Sequence, residues 1–255
     1  MSAAAAMAIT HLLLDIEGTT CPVSFVAEVL FPYARRALEP YLQQHGAEPA
    51  VAALVQEVET AWRQDPHPEA QALWAAASEA STPTHGERVV PYLQWLIDND
   101  IKLTPLKDLQ GRIWAEGYGT GTITAPLFGD VAEALRRWHA AGLRLAVYSS
   151  GSVPAQQLLY RHSDSGDLTG LFSHWFDTRV GAKQQPDSYR TIVEAMGVQA
   201  GEVLFISDAL GELEAAHGAG MAVLLSDRPG NPNRDSGPFE RISDYRQLQP
   251  GHGPQ

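Results

Sequence analysis

The chain carries a single cysteine, Cys21, in 255 residues. One thiol excludes an intrachain disulfide and has no companions for a zinc site, so Cys21 is expected as a small buried hydrophobe. Basic residues are also scarce: 18 Lys and Arg stand against 30 Asp and Glu, a net charge of -12. Nucleic acids and anionic membrane surfaces both call for a basic face, so neither is expected as a partner. No apolar run approaches the roughly 20 residues that a membrane span needs. The Ala-rich start, residues 1–10, lacks the basic segment and long apolar stretch of a signal peptide. A cytoplasmic monomer acting on a small molecule is therefore expected. An anionic substrate would meet a repulsive overall field, so its site must contain a metal ion or a local cation.

A hydrophobic content of 44% is ample for one α/β domain and a smaller unit. Residues 8–14 form a short apolar run that ends at Asp15 and a Gly18-Thr19-Thr20 turn, as a buried parallel strand does. Similar runs recur at 143–148, 175–177, 203–206 and 221–225, with helical patterns at 131–141, 152–162, 186–196 and 210–219. In the first of these helices Asp130 and Glu133 suit a capping box and Gly142 suits the C-terminal cap. The alternation predicts a doubly wound, mostly parallel Rossmann-like α/β core built from residues 1–21 and 126–255.

Residues 22–125 show helical spacing instead, in Val51, Leu54, Val55, Val58 and Trp62 and again in Val89, Leu93, Leu96 and Ile97. They predict an inserted helical cap domain, with Gly117 to Gly121 as a flexible closing loop or hinge. Residues 249–255 are expected as a disordered tail.

Ligands of open α/β sheets gather beyond the carboxyl ends of the strands. There the sequence places Asp15 and Glu17 after the first strand and Ser149 and Ser150 after the second. Lys183 follows the third, and Asp208 with Glu212 the fourth. Singly, each has an ordinary structural reading: the acids as turn and cap residues, the serines as an N-cap cluster, the lysine as a solvated surface residue. Together they suit phosphoryl transfer. A carboxylate at Asp15 attacks phosphorus, Mg2+ on Asp15, Asp208 and a main-chain carbonyl offsets the charge, and Lys183 neutralises the transferring group. Ser149 and the start of the following helix suit phosphate, and Glu17 suits proton transfer.

That order resembles the motifs of the haloacid dehalogenase superfamily. More narrowly, Leu14-Asp15-Ile16-Glu17-Gly18-Thr19-Thr20, Leu30-Phe31-Pro32-Tyr33, Tyr148-Ser149-Ser150-Gly151-Ser152-Val153, Phe176-Asp177-Thr178 and Arg228-Pro229-Gly230-Asn231 resemble the enolase-phosphatases of methionine salvage, also called acireductone synthases. The resemblance implies enolisation and then dephosphorylation of 2,3-diketo-5-methylthiopentyl 1-phosphate, with one Mg2+ per subunit. It implies Asp15, Glu17 (through its carbonyl) and Asp208 as metal residues, Asp15, Glu17 and Lys183 as catalytic residues, and Ser149, Ser150 and Lys183 as the phosphate site. Glu212 stands behind them as a supporting acid. The insertion would be a cap that excludes water. A sugar-phosphate or phosphoglycolate phosphatase shares the same motifs and stands as the alternative, and a phospho-accepting signalling domain as a more distant one.

Overall fold

The computed structural model describes residues 8–79 and 85–249. In chain order, β1 (His11–Leu14) leads to α1 (Phe31–His45), α2 (Pro49–Gln64), α3 (Pro68–Glu79), α4 (His85–Arg88), α5 (Val90–Asp98) and α6 (Thr104–Gly119). Next come α7 (Val131–Ala140), β2 (Arg144–Tyr148), α8 (Val153–Arg161), β3 (Phe172–Phe176), α9 (Pro186–Met196) and β4 (Val203–Ser207). Then α10 (Leu210–Gly218), β5 (Ala222–Ser226) and β6 (Arg241–Ile242) complete the order. Contacts divide the chain into Met1–Val26 with Thr124–Gln255, and Ala27–Ile123.

In the first unit the six strands are parallel, in the order β3-β2-β1-β4-β5-β6. The inner strands are buried on both faces, which is why they read as continuous apolar runs. The chain steps outward from β1 to β2 and β3, then crosses to β4, so the β1/β4 crevice is the switch point where such sheets bind ligands. One face is filled by Leu13, Tyr148, Tyr189, Ile192, Phe205 and Leu213. Pro186 opens α9 with its preset φ, and Gly197, at φ 70°, ends it in the left-handed conformation that glycine adopts without penalty.

The second unit is helical, with a core of Leu38, Leu42, Val55, Val58, Trp62 and Leu93. Each leucine buried there stabilises by about 1.5–3 kcal/mol. The Trp62 and Tyr92 rings stack at 4.9 Å, and Trp62 Nε1 donates to the Ala70 carbonyl at 2.8 Å.

Three local expectations change, and one strand has no counterpart among them. The third strand runs Phe172–Phe176 rather than 175–177, because exposed Ser173 and half-buried His174 mask its start in an edge strand. The Asp130 capping box does not form; that carboxylate is buried against Arg228 instead. Gly117 and Gly119 belong to α6 and not to a loop, and a side chain at Gly117 would meet the Tyr33 ring and Ile123 at 2.7 Å. Strand β6, two residues long, is too short for any periodic signal. Residues 250–255 of the expected tail lie outside the described residues.

Candidate active site

Parallel pairing of Leu14 with Val147 on one side and Ile206 on the other brings Asp15 level with Tyr148 and Ser207. Its amide donates to the Ile206 carbonyl at 3.0 Å. The chain then turns sharply: the Thr19, Thr20 and Cys21 amides all donate to the Ile16 carbonyl, at 3.1, 2.8 and 2.9 Å. Gly18 sits at φ 67°, in the left-handed region. Half-buried Glu17 lies within this turn and bridges to Cys21, which is fully buried.

The turn is held from the far end of the chain. Ser226 Oγ and Asn231 Nδ2 both donate to the Gly18 carbonyl at 3.0 Å. The Tyr245 hydroxyl donates to the Thr19 carbonyl, also at 3.0 Å. Tyr245 in turn stacks on Arg228, whose guanidinium makes a bidentate pair with Asp130 at 2.9 and 3.0 Å. With 3% and 6% of their side chains exposed, that pair is deeply buried.

Lys183, on the loop between β3 and α9, draws the acids together. Its Nζ donates to Asp15 Oδ1 at 2.6 Å and to Glu212 Oε2 at 2.7 Å. The lysine is itself fixed: Tyr189 donates to its carbonyl at 2.7 Å, and Tyr148 donates to the Gly181 carbonyl at 3.0 Å. Burial pulls the Lys183 ammonium toward neutrality, but the Asp15 and Glu212 carboxylates outweigh it and hold its pKa above the ordinary value. Burial and then the Asp15 charge raise Asp208 to about 6. The same two causes raise Glu212, although Lys183 and the Ser207 hydroxyl at 2.8 Å oppose them.

On the β2 side, Ser149 is buried and its Oγ accepts the Gly151 amide at 3.3 Å, while Ser150 is exposed. The start of α8 is less open to an anion than its sequence implies, because Asp177 Oδ2 accepts the Val153 amide at 3.2 Å. Burial would raise Asp177, but Arg179 and the Arg179 and Val153 amides hold it below the usual carboxylate range. An anion from the protein already lies at this helix end. Lys183 and the Ser149 and Ser150 hydroxyls are the groups here that could receive a phosphate instead.

Asp15, Lys183 and Glu212 are thus joined by direct contacts, and Asp208 lies against the turn at Gly18, where a Cβ would collide with its Oδ2. Sequence reasoning assigned no role to Ser226, Asn231 or Tyr245; the Arg228 to Asn231 loop was visible only as a family-like segment. Among the described residues no three acid, histidine or cysteine side chains form a ready-made cation cage. Mg2+ asks for less, since it binds one or two carboxylates and keeps several waters. The all-oxygen donor set of Asp15, Asp208 and the Glu17 carbonyl fits it. So does the buried Oδ1 of Asn231, which has no hydrogen-bond partner among the described residues.

The haloacid dehalogenase-like hydrolase family matches residues 9–220. A protein named Enolase-phosphatase E1 from Synechococcus sp. (strain RCC307) is 52% identical over 87% of this chain and 86% of its own length. The protein of that name from Stenotrophomonas maltophilia is 46% identical over 93% of this chain and 97% of its own. Among solved structures, the UTR4 protein of Saccharomyces cerevisiae is 34% identical with a TM-score of 0.75, covering 94% of this chain and 100% of that one. CbbY from Rhodobacter sphaeroides, 19% identical with a TM-score of 0.55, covers 94% of this chain and 96% of that one and shares the fold.

Proposed function

Because the chain belongs to the haloacid dehalogenase-like hydrolases and, within them, to the enolase-phosphatases, we propose that it converts 2,3-diketo-5-methylthiopentyl 1-phosphate to 1,2-dihydroxy-3-keto-5-methylthiopentene in methionine salvage. The observation that carries the reading is the Lys183 ammonium held 2.6 Å from Asp15 Oδ1 at the β1/β4 crevice. It sets a permanent cation beside a buried carboxylate, so that a phosphate dianion can approach a nucleophile of its own charge. Lys183 and the Ser149 and Ser150 hydroxyls hold the phosphate.

Enolisation comes first. The Glu17 carboxylate takes a proton from the carbon bearing the phosphate ester, and the neighbouring carbonyl oxygen gains one from solvent. Asp15 then attacks phosphorus, and the ester P–O bond breaks as Glu17 returns its proton to the leaving oxygen. Glu17, again a carboxylate, takes a proton from the water that opens the aspartyl-phosphate. Inorganic phosphate leaves, Asp15 is regenerated, and Glu17 gives its proton back to solvent, which replaces the one the carbonyl oxygen took. Bound on Asp15, Asp208 and the Glu17 carbonyl, one Mg2+ per subunit supplies neutralising charge for the phosphate oxygens. The helical unit, Ala27–Ile123, serves in this reading as the family's cap, the part that tells the methylthio end from other phosphate monoesters.

Ultraviolet spectra of Asp15→Asn supplied with the diketo phosphate test the proposal, with released phosphate assayed in parallel. The absorbing enediol phosphate should accumulate without phosphate release. Phosphate release at the wild-type rate would overturn Asp15 as nucleophile. A wild type that cleaves p-nitrophenyl phosphate but yields no absorbing product would point to the simpler phosphatase.

A further inference from the structure

Asn231 is 8% exposed, and both protons of its amide are committed. Nδ2 donates to the Gly18 carbonyl at 3.0 Å and to the Ser226 carbonyl at 2.9 Å. Only an NH2 group can serve two main-chain carbonyls, so the chemistry of the contacts fixes which way the amide faces. Oδ1 is thereby turned to the other side, where it is buried and has no hydrogen-bond partner among the described residues. Gly18 defines the point it faces. A Cβ on that glycine would lie 2.8 Å from Asn231 Oδ1 and would collide with Asp208 Oδ2. Two oxygens from different loops therefore converge on one side of the turn that follows Asp15.

We propose that Asn231 is a positioning residue of the divalent-cation site: Nδ2 clamps the Gly18 carbonyl, and Oδ1 accepts a hydrogen bond from a water carried by the cation. Mg2+ keeps several waters when it binds protein, and outer acceptors that orient them are part of the site. A neutral acceptor suits the place. Asp15, Asp208 and Glu212 already put three acids there with Lys183 as their shared counter-charge, and a fourth carboxylate would add repulsion. Ser226 separates the two functions of Asn231, because its hydroxyl also donates to the Gly18 carbonyl yet leaves Oδ1 untouched.

The inference rests on the reading of Asp15, Asp208 and the Glu17 carbonyl as a Mg2+ site, and the experiment distinguishes the two. Mg2+ is titrated calorimetrically into the wild type, Asn231→Ala and Ser226→Ala without substrate, and melting temperatures are taken with and without Mg2+. Asn231→Ala should weaken Mg2+ by about tenfold or more, in the range found for outer-shell partners, and should lose most of the Mg2+-dependent rise in melting temperature. Ser226→Ala should stay within about twofold of the wild type, since direct ligands and water acceptor remain. If Asn231→Ala does not fold, Asn231→Ser, whose shorter side chain cannot span the same groups, takes its place. A lower melting temperature with an unchanged Mg2+ isotherm overturns the inference and leaves Asn231 purely structural. Equal weakening in both variants overturns the role of Oδ1 in favour of loop bracing. A wild type that binds no Mg2+ overturns the metal reading and this inference together.

Discussion

At Gly18 the absence of a side chain does two things at once. The residue adopts φ 67°, and it leaves the space that Asp208 Oδ2 occupies. A methyl group there is strained by the backbone, at about 1–3 kcal/mol, and also displaces one of the two carboxylates assigned to Mg2+. Gly18→Ala should therefore lose stability of that order in urea titrations and bind Mg2+ at least about tenfold more weakly. Loss of stability with an unaltered Mg2+ isotherm would show that the glycine serves the turn alone. Lys183 illustrates the same economy of parts. Its short contacts to Asp15 and Glu212 use two of the three donors of an ammonium group, and in the proposed reaction the third would serve a phosphate oxygen. An arginine would present a planar fork where the geometry offers two oxygens on separate elements.

The elements around the site differ in how they are held. Strand β1 is only four residues long, but it is paired on both sides and needs no special support. The turn after it is steadied by groups more than 200 residues further on, Ser226, Asn231 and Tyr245. Behind these lies the Arg228–Asp130 pair, with the Tyr245 amide donating to Asp130 Oδ2 at 2.6 Å. Removing one partner of a buried pair strands the other charge, which costs about 3–5 kcal/mol. Asp130→Ala should lower stability by that amount in denaturant titrations, and the double variant Asp130→Ala with Arg228→Met should regain part of it. A double variant no more stable than the single one would mean that the pair contributes through packing alone.

This brace also marks where sequence reading stopped. The apolar runs ending at Asp15, Tyr148 and Ile206 made the parallel core legible, because strands buried on both faces have no other pattern. Asp130 was misassigned for a physical reason: an acid just before a helix satisfies a local cap rule, and nothing local reveals an arginine 98 positions away. Asp177 reads in the sequence only as the end of an apolar run and part of a family-like segment, yet from the loop after β3 it accepts the Val153 amide that opens α8. Two-residue β6 carries no period to detect.

For the molecule as a whole, 30 acids against 18 bases leave a charge of -12, and the site adds to that strain by gathering Asp15, Asp208 and Glu212 around one lysine. The folded-state pKa of Asp208 is raised from 3.8 to about 6, so the native state binds its proton more tightly than the unfolded chain does. Stability contributed by that proton is complete below about pH 4 and lost as the pH climbs through about 6, and Glu212 acts in the same direction. Lys183, raised above 10.5, stays charged in both states across this window and adds no slope. In EDTA the protein should therefore melt at a lower temperature at pH 8 than at pH 5.5. General repulsion at -12 predicts the same sign, so the site's share is read from Asp208→Asn, which should melt higher than wild type at pH 8 and show a flatter profile. In the proposed site Mg2+ would bind the deprotonated acids, so adding it should reverse the trend. The rise in melting temperature on adding it should be larger at pH 8 than at pH 5.5. An Asp208→Asn profile parallel to wild type in EDTA would assign the slope to the general surface charge and remove the site from the explanation.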